Sequence, residues 1–169
     1  MLLADRKLVR GGDQLRVEMT RLRVDAMRQG RVMMIEAMIE GNKIRMRPYF
    51  SASDSTEAID QTGSQSGMLT GAAQSTATAI VVDESATKEI ELGEGLLIKS
   101  VQVASAARGA EINQATMADQ GEGWGQPILF YPDGTTSTAA VTIADETFGK
   151  VVVKLRGITG DVTVTEVLP

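Results

Sequence analysis

The sequence predicts an α+β domain in which one N-terminal amphipathic helix packs on antiparallel β-sheet. Apolar residues keep a helical period as far as Gly30, and from Val32 onward the period falls to two. The strand-like segments then follow one another without the intervening helices that a parallel sheet needs. At 169 residues the chain suits one domain with an ordinary core. The expected organisation is a helical stem over residues 1–30 and a β-rich head over residues 31–169, with long loops at 51–78 and 104–127.

In the stem, Leu8, Leu15, Met19, Leu22 and Ala26 stand on one face of a 3.6-residue helix, and polar residues fill the positions between them. These five form the expected packing face. Val24 and Met27 widen it, while Arg16, Glu18, Arg21, Arg23 and Arg28 take the other side. Gly30 suits the residue just past the helix end, because without a Cβ it enters the left-handed region freely. Gly11 and Gly12 each cost about 1 kcal/mol relative to Ala inside a helix. Either the helix starts at Asp13 as N-cap, or the pair marks a soft joint in a longer helix; the longer, weakened helix is the expectation.

Val32–Glu40 and Lys43–Phe50 flank Gly41-Asn42, a pair suited to a two-residue type II′ turn. That turn sets Ile39 opposite Ile44, Ala37 opposite Met46, Ile35 opposite Pro48 and Met33 opposite Phe50, an apolar face. The other face pairs Glu40 with Lys43 and Glu36 with Arg47. Pro48 has no N–H to donate, so it marks a strand end or an edge. Residues 51–78 are loop-like: 19 of them are Ser, Thr, Gly or Ala, and none is Lys or Arg. Strands are expected at 78–83, 88–92, 96–103, 128–131, 139–144, 151–156 and 162–167, with turns at Pro132-Asp133-Gly134, Glu146–Gly149 and Gly157–Gly160.

Composition removes most chemistry. With no His and no Cys there is no imidazole or thiol nucleophile, no Ser-His pair and no usual zinc, haem or iron–sulfur ligand set. Neither a catalytic residue nor a cofactor or metal site is expected. Gly121-Glu122-Gly123-Trp124-Gly125 lacks the Lys-Ser/Thr and following helix of a phosphate loop. The acidic pairs Asp83-Glu84 and Asp145-Glu146 lack an EF-hand pattern and read as turns. Six aromatic residues are few for stacking sugars or bases. Trp124 is either a plug over the core edge or an exposed contact residue.

Charge is unevenly spread. Residues 1–50 hold 11 Lys+Arg and 6 Asp+Glu, whereas residues 51–169 hold 6 and 16. A basic stem joins an acidic head, either as a solvated helix face or as a stem placed near anionic headgroups or an acidic neighbour. The acidic head argues against nucleic acid as a partner, although Arg21, Arg23, Arg28, Arg31, Arg45 and Arg47 form a candidate patch where helix and hairpin meet. The longest uncharged run, Gln61–Val82, is too polar to span a bilayer, and charge at Asp5, Arg6 and Lys7 precedes any apolar stretch of a signal peptide.

The order Phe130-x-Pro132-Asp133-Gly134, a strand at 140–143, a Val-rich strand at 151–155 and a closing Thr159-Gly160 hairpin resembles the C-terminal signature of minor pseudopilins of the H kind in type II secretion, and of related type IV minor pilins. The amphipathic helix ending at Gly30 looks like the soluble half of that family's long first helix. The resemblance implies a non-catalytic subunit of a periplasmic pseudopilus, anchored in the bacterial inner membrane. Its implied partners are other pseudopilin or pilin subunits, secreted cargo and the outer-membrane channel. The family's leader, cleavage motif, assembly Glu and apolar anchor are not found in these residues, so the expectation is a soluble domain without its anchor. The alternatives are a type IV minor pilin in adhesion, motility or DNA uptake, and a soluble protein-binding domain.

Overall fold

A computed structural model describes residues 2–49, 87–104 and 121–169, together with the single positions 110, 112, 114 and 116. It shows one helix, α1 (Leu2–Gln29), and eight strands: β1 (Met33–Ala37), β2 (Lys43–Pro48), β3 (Lys88–Glu91), β4 (Leu96–Ala104), β5 (Ile128–Phe130), β6 (Thr138–Asp145), β7 (Lys150–Leu155) and β8 (Val162–Val164). They form two four-stranded sheets, ordered β3-β2-β1-β5 and β4-β6-β7-β8, and every pairing is antiparallel. The fold class is therefore α+β, with the helix packed on both sheets.

One apolar cluster joins α1 to the inner faces of both sheets. Leu8, Leu15, Met19, Leu22 and Ala26 are 0–4% exposed within it. Helical period and strand period thus meet in one core, because each element offers a single continuous apolar face to the others. The helix stops at Gly30, which has φ +65° and donates its N–H to the Ala26 carbonyl.

Gly11 and Gly12 lie inside the helix and are buried. A Cβ on Gly11 would stand 2.6 Å from Leu96 Cδ1, and one on Gly12 would stand 2.7 Å from Val164 Cγ1. The helix is thus the longer one expected, not one that starts at Asp13, and the pair lets its backbone approach the second sheet where any side chain would hold it off.

The first hairpin departs from its expected register. β1 and β2 pair Met33 with Pro48, Ile35 with Met46 and Ala37 with Ile44, two residues away from the pairing that a Gly41-Asn42 turn imposes. A shift of two keeps each side chain on its face, so the apolar face survives. The bend instead runs through Ile39, Glu40, Gly41 and Asn42, with Glu40 at φ +60°. Tertiary bonds hold it: Ile39 N–H donates to the Gly123 carbonyl, Glu40 N–H to the Ile98 carbonyl, and Ile98 N–H to the Gly41 carbonyl. The bend thus ties the first sheet to β4 of the second. Glu40 accordingly pairs with Lys99, and Lys43 with Glu89.

The outer face of β1, expected to be polar, is covered. Met34, Leu129 and Tyr131 form a second small core against which Ile112 packs, and Thr116 Oγ1 donates to Met34 Sδ at 3.9 Å. The described positions Ala110, Ile112, Gln114 and Thr116 are helical, where the sequence reads as a plain connection. The last strand also stops at Val164, three residues short of its expected end, and Leu168 then bridges to Lys150. The expected loop 51–78 and strand 78–83 lie outside the described residues.

Candidate assembly surface

The helix divides its residues between two opposite faces. Its inner face is the buried stripe, which Met27 widens by lying against the turn at Gly134; its outer face carries Leu3, Val9, Val17 and, against expectation, Val24, which are 40–74% exposed. Leu3, Val17 and Val24 recur at multiples of seven residues, nearly two helical turns each, so they fall along one line. Val9 stands beside it. Exposed Arg6, Arg10, Arg16, Arg21 and Arg28 are interleaved with them, and Arg16 pairs with Asp13 at 3.3 Å. An outer face of low β-branched side chains edged by guanidinium groups can pack against another helix while its charges reach a rim.

The Phe130–Gly134 and Thr159-Gly160 segments meet at the other end of α1. Phe130 is buried in the main core. Pro132 and Asp133 form the turn after β5, in which Gly134 N–H donates to the Tyr131 carbonyl. Asp133 Oδ1 accepts from the Thr135 N–H at 2.9 Å and from its hydroxyl at 2.6 Å. Arg23 Nε donates to the Gly134 carbonyl at 2.8 Å. Gly160, at φ +73°, lies directly against the same guanidinium, so a Cβ there would meet Arg23 Nε. Thr136 N–H donates to the Gly157 carbonyl, which stitches the two turns together. Arg23 is thus the peg that two distant turns enclose. Helical patterning places it merely on the polar side; the glycines at positive φ were the available signal that something approaches closely there.

Trp124 is half-buried on the outer side of the first sheet, where it pairs with Met38 beyond the end of β1. The Arg45 guanidinium lies 4.3 Å from its ring centroid. Arg45 and Arg47 both bind Glu36, which is 0% exposed: Arg45 Nη2 stands 3.0 Å from Oε2 and Arg47 Nε 2.7 Å from Oε1. The suggested arginine patch is divided: Arg21 and Arg31, with Lys88, line one pocket between α1 and the first hairpin, while Arg23, Arg45 and Arg47 bind elsewhere. Arg45 and Arg47 serve Glu36, Arg23 serves Gly134, Arg21 pairs with Glu18, and Arg31 reaches Gln29.

Asp145 works as a turn residue. It accepts the Thr147 N–H and hydroxyl on Oδ1, and the backbone hydrogen bond first, the hydroxyl second, hold its carboxyl below the ordinary aspartate value. Among the described residues, no group of three or more acidic side chains is placed to hold a metal ion, and no helix is long and apolar enough to cross a membrane.

No family model matches the chain, and no curated protein matches it. Solved structures do, and they define a class: a pseudopilin-like α+β fold. One is the minor pseudopilin EpsH from the type 2 secretion system of Vibrio cholerae, at TM-score 0.53 and 10% identity, over 95% of this chain and 97% of that one. A second structure of the minor pseudopilin EpsH from the same organism matches at TM-score 0.52 and 11% identity, with the same coverage. At that identity the likeness is one of fold.

Proposed function

We propose that this chain is a minor pseudopilin of a type II secretion pseudopilus, a structural subunit that acts in protein export by assembly and protein contacts. The division of α1 carries the reading: its inner stripe fixes the helix to the head, and its outer line of Leu3, Val17 and Val24 stays exposed for a neighbour. The likeness of fold to a Vibrio cholerae minor pseudopilin supports it. In this reading α1 packs against helices of other pseudopilin subunits, and the arginines beside the valines meet acidic groups of those neighbours. The head presents its sheets and turns to secreted cargo or the outer-membrane channel. The subunit works in the periplasm, carried on the inner membrane by an apolar helical segment continuous with α1. It performs no catalytic step.

The pair Val17→Glu and Val24→Glu tests this. Both side chains lie on the exposed face, at 43% and 40% exposure, so the cost to folding is small, about 0.5 kcal/mol each. The parent is expected to enter pseudopili assembled in cells and the variant to be excluded, with nearly equal thermal melting. Incorporation of the variant at the parent's level, or exclusion of the parent, would overturn the proposal; uptake of the parent into a type IV pilus alone would reassign it to that system.

A further inference from the structure

The second sheet turns Val141, Ile143, Val153 and Leu155 into the core. Side chains alternate across a strand, so the residues between these on β6 and β7 point away from it. On the outer face, Gln102 of β4, Ala140 of β6, Lys154 of β7 and Thr163 of β8 form one cross-strand row. Small side chains on β6 lie between longer ones on either side, and the result is an open trough of about 730 Å³. Lys154 and Arg156 line it, and Lys150 follows on the same face of β7.

These three cations stand in an acidic setting. Residues 51–169 contain 6 Lys+Arg against 16 Asp+Glu, and half of the 6 are here. Other cations of the head and hairpin have carboxylate partners: Lys43 with Glu89, Lys88 with Glu18, Lys99 with Glu40. Among the described residues, Lys150, Lys154 and Arg156 make no ion pair, and Asp161 is the single carboxylate lining the trough. Lys154 in β7 and Arg156, one residue past its end, are two residues apart, roughly 7 Å at ~3.3 Å per residue of extended chain. That is also the spacing of alternate side chains on an extended peptide. A compact anion would use one of these cations; an extended chain with carboxylates at alternate positions reaches both while its remaining side chains lie over Ala140 and Thr138.

We propose that this trough is a docking site for an acidic polypeptide segment in extended conformation. It stands independently of the filament reading, since it uses the sheet face and not α1. The probe is a fluorescein-labelled peptide of roughly ten residues alternating Glu and Thr, long enough to follow the chain from Lys150 to Arg156. Titrated into the 169-residue chain at low salt, it is expected to bind, with amide shift changes confined to β4, β6, β7 and β8. Added salt weakens binding, and the exposed double substitution Lys154→Glu with Arg156→Glu weakens it by at least about tenfold. Arg10→Glu with Arg28→Glu leaves it unchanged. Absence of binding, shift changes centred on α1, or equal affinity in the Lys154→Glu/Arg156→Glu variant would overturn the proposal. So would inorganic polyphosphate displacing the peptide at equal charge concentration, which would reduce the surface to a general anion ridge.

Discussion

Glu36 sits in the middle of β1 with no exposure, and two guanidinium groups close over it. A buried carboxylate is tolerated where its hydrogen bonds are supplied, and removing partners leaves an uncompensated charge. Replacing Arg45 and Arg47 together by Met is expected to destabilise the fold by about 3–5 kcal/mol, read as a shift of the urea midpoint. The sequence put Glu36 opposite an arginine but carried no sign that its face was covered, because the covering residues Ile112 and Thr116 lie far along the chain. Asp145 supplies a pH test. Its carboxyl is held down by the Thr147 N–H and hydroxyl, so this contribution is complete above the ordinary aspartate value and is lost as pH falls through the lower, folded value. Carbon-detected titration should place its midpoint below an ordinary aspartate, and Thr147→Ala should move it upward. An unmoved midpoint would mean that the hydroxyl takes no part.

At the level of elements, α1 carries a buried apolar face and an exposed one. Leu15→Glu buries an unpaired charge in the core and should cost several kcal/mol, whereas Val17→Glu, two residues on and facing outward, should leave thermal melting nearly unchanged. Gly12→Ala separates propensity from packing. In a free helix it would gain about 1 kcal/mol. Here the new methyl would press on the stiff, branched Val164, and a net loss of roughly 1–2 kcal/mol is expected in denaturant titration. A net gain would show that β8 yields easily. The helix and the strands of both sheets could be read from periodicity, since each apolar face is written locally. The first turn could not: Gly41-Asn42 suited a two-residue bend, but the Gly123 and Ile98 carbonyls, far off in sequence, capture the Ile39 and Glu40 amides and draw out a longer one. The helical positions Ala110, Ile112, Gln114 and Thr116 were missed because Ile112 is the one large apolar side chain among them, too little to mark a stripe like that of α1.

In the whole molecule, the head is held to the rod at two levels of the helix. About a third of the way along, Gly11 and Gly12 bring the backbone against β4 and β8; towards its finish, the Pro132–Gly134 and Thr159-Gly160 turns enclose Arg23. Arg23→Met removes a charged hydrogen bond to the Gly134 carbonyl and should cost about 1.5–3 kcal/mol, with amide exchange rising first at those turns and in the last turns of α1. Uniform change across both sheets would argue against a local peg. The turn residues Pro132, Asp133, Gly134, Thr159 and Gly160 were visible in the sequence; their convergence on Arg23 was not, since it depends on turns from distant strands meeting beside one helix. A rod fixed in this way keeps its outer valines in line with each other and in constant relation to the head, as the proposed stacking against neighbouring subunits requires. The most direct measurement replaces Val24 or, on the far face, Lys154, one at a time, by the photo-crosslinking amino acid benzoylphenylalanine and irradiates pseudopili assembled in cells, since that group inserts into any neighbouring C–H bond. Intersubunit crosslinks from position 24 and not from position 154 are predicted; crosslinks from position 154 alone, or none from position 24 in filaments that contain the subunit, would contradict the role proposed for the outer helix face.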